Sequence, residues 1–107
     1  MSGSFEDRRK GFESKWAHDA EMQFKIVTRR NRLLGLWVAE KLGKTGPDAE
    51  TYAKEIVIAE VDGGDEGVYR KVTSDLAAKG VSFSEDEIRT RMTELLAAAI
   101  AQVKAGL

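Results

Sequence analysis

Residues 84–103 read Ser-Glu-Asp-Glu-Ile-Arg-Thr-Arg-Met-Thr-Glu-Leu-Leu-Ala-Ala-Ala-Ile-Ala-Gln-Val. Ser84 with Glu87 three residues later has the form of a capping box, in which each side chain satisfies a backbone N–H that the first helical turn leaves without a partner. Behind it Ile88, Met92, Leu95, Leu96, Ala99 and Val103 recur at helical spacing and form one uninterrupted apolar stripe. Such a stripe must be buried against other elements, so the segment at about 85–105 implies further helices.

The preceding stretch, about 65–79, places Val68, Val72 and Leu76 at strict four-residue intervals and is closed by Gly80. Before it, Thr45-Gly46-Pro47-Asp48 opens a segment at 47–62, because the missing N–H of Pro47 is harmless in a first helical turn. Tyr52, Ile56 and Ala59 share a face there, widened by Ala53, Val57 and Val61, and Gly63-Gly64 is expected to end it. A first segment, about 19–42, carries Ala20, Phe24, Val27, Leu34 and Trp37/Val38 and stops at Gly43. No segment shows a period of two, and short connections suit helices that pack back on one another. The sequence therefore predicts an all-α fold, a four-helix bundle-like domain over 19–107 behind a flexible N-terminal arm over 1–18.

A chain of 107 residues holds one modest core. Its net charge is near zero, but residues 1–41 hold nine Lys/Arg against six Asp/Glu, while 42–107 hold eight against twelve. That asymmetry is too mild for a nucleic-acid protein. The absence of cysteine excludes disulfides, thiolate catalysis and cysteine metal sites. The opening Met-Ser-Gly-Ser-Phe-Glu-Asp has no signal-peptide core, and the nearly uncharged run Leu95–Val103 is far shorter than the ~20 residues a membrane helix needs. A soluble, cytoplasmic protein is expected, with no cofactor and no direct membrane insertion.

The arm places Phe5, Phe12 and Trp16 among Arg8, Arg9, Lys10 and Lys15. Spacings of seven and four put the three aromatics on one helical face. Burying them fully would contribute roughly 5–9 kcal/mol. Ordering the arm costs roughly 1–2 kcal/mol per residue, only partly offset by one short helix, and Gly11 adds about 1 kcal/mol. The arm is thus expected to be loose alone and helical on a target. The alternative is that its stripe folds back as an extension of the first helix.

Other motifs carry little chemistry. Gly43-Lys44-Thr45 resembles the end of a phosphate-binding loop, but Val38 occupies the position of the required glycine and no strand precedes it. A helix stop is the better reading, with weak nucleotide contact by Lys44 left open. Asp62-Gly63-Gly64-Asp65-Glu66-Gly67 has acids and glycines without calcium-loop spacing and reads as a solvated turn. His18, the sole histidine, stands where arm meets helix and is a candidate pH-sensitive hinge. Lys25, Arg29, Arg30 and Arg32 form a basic stretch, with Lys25, Arg29 and Arg32 on one face. It reads first as a solvated stripe paired with acids of the later helices, then as a secondary docking surface for an acidic partner; RNA comes third. No acid–base or nucleophile constellation supports an enzyme, and no catalytic or metal-ligating residue is assigned.

Three stretches are more specific. Phe12-Glu13-Ser14-Lys15-Trp16-Ala17-His18-Asp19, then Arg29-Arg30-Asn31-Arg32-Leu33-Leu34-Gly35-Leu36-Trp37 and Ala39-Glu40-Lys41-Leu42-Gly43, resemble the zeta subunit of the alphaproteobacterial F-type ATP synthase, an ATPase inhibitor subunit. Tyr52-Ala53-Lys54-Glu55, Gly64-Asp65-Glu66, Arg70-Lys71 and Met92-Thr93-Glu94-Leu95-Leu96 continue the likeness over nearly the whole chain. The resemblance implies a four-helix protein whose N-terminal segment blocks ATP hydrolysis. It would wedge between catalytic subunits of the head beside the rotating stalk, so that the alpha, beta and gamma subunits are the partners. Phe5, Arg8, Arg9, Lys10, Phe12, Lys15 and Trp16 would be its contacts. The protein would sit on the cytoplasmic side of the inner membrane, held there through the synthase. The competing reading is a small helical ligand- or nucleotide-sensing module without ATPase inhibition.

Overall fold

A computed structural model describes the backbone from Ser2 to Leu107 and the side chains from Asp19 onward. The expected flexible arm over 1–18 lies outside the residues described in full. Three helices follow in order: α1 (Ser2–Lys41), α2 (Gly46–Ala78) and α3 (Glu85–Lys104).

The expectation of four helices is corrected here. The segments anticipated at 47–62 and 65–79 form the single element α2, whose only non-helical backbone is Gly64, at φ 64° and ψ −161°. The glycine pair was expected to stop one helix and start another through a turn. Instead a single residue takes the whole change of direction, in a positive-φ conformation that costs glycine little, and helical hydrogen bonding resumes on either side. The bend is severe. Tyr52 Oη donates to Asp75 Oδ2 at 2.8 Å, although 23 residues along a straight helix would span about 35 Å. The two limbs of α2 therefore face each other.

The remaining helix ends follow their sequence signals. Gly43 and Gly80, both at positive φ, close α1 and α2, with Lys44 N–H donating to Ala39 O and Val81 N–H to Leu76 O, each at 2.9 Å. At the start of α3, Ser84 Oγ accepts from Glu87 N–H at 3.1 Å and Glu87 Oε1 accepts from Ser84 N–H at 3.2 Å, completing the capping box.

α1 is the spine. It packs against both other helices, which scarcely meet each other. The core gathers Leu34, Val38, Ala39 and Leu42 from α1 and its exit, Tyr52, Ile56, Val68, Val72 and Leu76 from α2, and Ile88 and Met92 from α3. Trp37 packs at its edge against Phe83, ring centroids 5.2 Å apart.

The α1–α2 crossing is closest at Gly35. A Cβ there would lie 2.5 Å from the Cα of Ala53 and 3.1 Å from its Cβ, so the backbones meet with no room for a side chain. Gly35→Ala sets overpacking of about 1–3 kcal/mol against a helix-propensity gain of about 1 kcal/mol. Because the obstacle is backbone, net destabilisation is expected, seen as a lower Tm in a thermal melt. A melt at or above that of the parent would show that the crossing yields freely.

Candidate functional site

The seven expected arm contacts, Phe5, Arg8, Arg9, Lys10, Phe12, Lys15 and Trp16, and the hinge candidate His18 lie outside the described residues. What the structure does place is the region of α1 that follows them, including the basic stretch.

Those basic side chains do not act together. Arg30 turns inward and its side chain is only 4% exposed. Its Nη2 donates to Asp65 Oδ1 at 2.6 Å and reaches Glu60 Oε2 at 3.4 Å, and its Nε donates to Asn31 Oδ1 at 2.7 Å. Asn31, fully buried, donates through Nδ2 to the same Glu60 oxygen at 3.1 Å. Arg30 thus belongs to an internal cluster that ties α1 to both limbs of α2 around Gly64, and it is removed from the docking surface expected for it. The Asp62–Gly67 stretch is a largely exposed reversal within α2, in keeping with the solvated turn expected there, and two of its acids are paired, Asp65 with Arg30 and Glu66 with Arg89 at 3.0 Å.

The two carboxyls of the cluster titrate in opposite directions. Burial, together with a hydrogen bond to Asp65, raises Glu60 above the usual glutamate range, against the pull of Asn31 and Arg30. Burial would also raise Asp65, but hydrogen bonds from Arg30 and Glu60 outweigh it and the net shift is downward. Glu60 thus takes up a proton more readily than Asp65, whose charged form Arg30 favours. Elsewhere, burial and the bond to Asp75 push the Tyr52 phenol upward, keeping it a neutral donor.

The other cations line a groove. Arg29 Nη1 donates to Gln102 Oε1 at 2.9 Å and its Nη2 to the Leu107 carbonyl, pinning the end of α3 to α1. Arg32 meets Glu50 at 2.9 Å in an exposed pair, and Lys25 is exposed. Between them runs a cavity of about 540 Å³ lined by Met22, Phe24, Thr28 and Val103 as well as these cations. Phe24, expected in the buried stripe, is 69% exposed at its lip. Among the described residues, it is the end of α3 that lies beside this part of α1.

Lys44 follows the Gly43 helix stop, as expected, and lines an open cleft of about 340 Å³ with Lys71, Lys79, Glu55 and Asp75. Lys71 is already engaged, with Nζ 3.2 Å from Asp75 Oδ2. Among the described residues, no group of three His, Asp or Glu side chains is arranged to hold a metal ion. Sequence reasoning missed Asn31, Glu60 and Asp65. The available signal was a lone asparagine on an apolar stripe and two acids bracketing a glycine pair.

Comparison with known proteins adds family evidence. A family model described as ATPase inhibitor subunit zeta matches residues 1–102. Three solved chains match; one, described as a solution NMR structure, is 48% identical, with a TM-score of 0.70, and the alignment covers 80% of this chain and 99% of that one. A search among curated proteins gives no match.

Two outcomes follow from the Arg30 cluster. Arg30→Met strands two carboxylates near Asn31; removing one partner of a buried pair costs about 3–5 kcal/mol, reduced here toward about 2–3 kcal/mol because Asp65 is partly solvated. Denaturant unfolding measures it. The raised Glu60 group favours the fold below the ordinary glutamate range and loses that contribution as pH rises through its elevated value. Glu60→Gln removes this loss, so the stability difference between variant and parent should move in the variant's favour between pH 4 and pH 7. A difference that is constant over that range would remove Glu60 as a titrating member of the cluster.

Proposed function

We propose, on the premise that this chain belongs to the ATPase inhibitor subunit zeta family, that it restrains ATP hydrolysis by an F-type ATP synthase through its N-terminal arm. Membership makes it a regulator of the synthase and not an enzyme. The finer reading is that residues 1–18 become helical in a cleft between catalytic alpha and beta subunits of the head, next to the gamma stalk, and so stop rotation in the hydrolytic direction.

One observation carries this reading: the family match runs through arm and domain together, from residue 1 to residue 102. The physical argument agrees with it. The aromatic face of Phe5, Phe12 and Trp16 needs an apolar receptor to repay roughly 1–2 kcal/mol of ordering entropy per residue. Arg8, Arg9, Lys10 and Lys15 would meet acidic groups at the cleft or on the stalk. Among the described residues, the buried apolar core runs from Leu34 onward. Once docked on the outside of the head, the domain would raise the arm's effective concentration at the cleft. Such a wedge needs no catalytic residue, because it lowers the energy of one rotational state below that of any state leading forward. No described helix is long and apolar enough to cross a membrane, which fits attachment through the synthase on the cytoplasmic side.

Deleting residues 1–16 tests the mechanism. The shortened protein should keep its helical circular dichroism and a cooperative melt while losing inhibition of ATP hydrolysis by the purified head. Full inhibition by the folded, shortened protein would overturn the arm mechanism.

A further inference from the structure

Four large apolar side chains are conspicuously exposed among the described residues: Phe24, Ile58, Val61 and Leu107. Phe24 and Leu107 come from opposite ends of the described chain yet line one cavity. α1 contributes Met22, Phe24 and Thr28 to it, and the end of α3 contributes Val103. Phe24 is 69% and Leu107 74% exposed, so docking against this groove would remove a substantial apolar area from water.

The rim carries positive charge. Arg29 stands on it, with Nη1 bonded to the neutral Gln102 Oε1 and Nη2 to the main-chain oxygen of Leu107. Lys25 is exposed one turn before it. Arg32 is held by Glu50, but that pair is about half exposed on both sides, and exposed pairs exchange partners at little energetic cost. An apolar floor beneath a cationic rim matches a segment with apolar anchors flanked by carboxylates.

We infer that the groove between α1 and the end of α3 is the docking site for an acidic protein segment that inserts an apolar anchor side chain beside Phe24. The inference rests on the proposed inhibitor reading, and the segment would belong to the outer surface of the ATP-hydrolysing head. A concave site of about 540 Å³ suits an inserted side chain better than a flat lipid surface. The groove begins only four residues past position 18, so anchoring there would hold the arm close to its cleft.

The test uses the full chain and the purified head, with binding followed by biolayer interferometry at low and moderate salt. Phe24→Ser should weaken binding at least tenfold. Lys25→Glu should weaken it and flatten its salt dependence. Ile58→Ser, which alters an equally accessible apolar residue away from the groove, should stay within twofold. Unchanged circular dichroism and melting verify that each variant is folded. A photo-crosslinking benzoylphenylalanine at position 24 should capture a segment of the head rich in Asp and Glu. The inference is overturned if Phe24→Ser and Lys25→Glu bind like the parent, or if Ile58→Ser weakens binding as much. It is equally overturned if Phe24 instead mediates binding to phosphatidylglycerol vesicles or self-association. Failure of the groove is separable from failure of the arm. The first leaves loss of inhibition on deleting residues 1–16 intact, and the second leaves the groove variants weak. A parent protein that does not bind the head at all would overturn both.

Discussion

A guanidinium taken almost wholly out of water must be met by negative charge, and Arg30 is such a group. The charge comes from Glu60 and Asp65, on opposite sides of Gly64. One side chain of α1 therefore requires the two limbs of α2 to come together at one place. Asn31 adds to the requirement, since it is buried and accepts from Arg30 while donating to Glu60. About a turn further along α1, Gly35 lets the backbones touch at Ala53. The polar cluster sets where α2 reverses, and the close crossing sets how near it lies to α1. No buried side-chain polar atom among the described residues is left without a partner, the condition under which such a cluster specifies a fold and does not merely burden it.

The same helix serves two environments. Between Leu34 and Val38, α1 is enclosed by its neighbours. Around Phe24, among the described residues, the tail of α3 lies beside it, and it presents an apolar ring among cations. The transition is set by the length of α2, whose reversal at Gly64 limits how far along α1 it reaches. The domain thus buries its core at one end of the described α1 and exposes Phe24 at the other, next to the segment proposed here as the inhibitory arm.

Much of this was legible because it is local. The capping box of Ser84 and Glu87, the glycine stops at positions 43 and 80, and the buried Val68, Val72 and Leu76 all follow from residues within a few positions of each other. The family, too, was visible in short runs of sequence. What escaped depends on long-range partners. Arg30 looked like one more surface cation because the carboxylate that claims it stands 35 residues away. Phe24 continued the apolar period, but a period states only which residues share a face, not how far the opposing helix extends. The glycine pair was seen as an interruption. That helical hydrogen bonding would resume directly after a single left-handed residue is a tertiary outcome, imposed by what the limbs on either side must touch.

The scarcity of contact between α2 and α3 leaves two main seams, both along α1, with Arg89 of α3 joining Glu66 and Tyr69 of α2 between them. Only changes away from Arg89 and its α2 partners Glu66 and Tyr69 should therefore combine nearly additively. Variation toward the end of α3, away from Arg89, then leaves the polar tie at the reversal untouched.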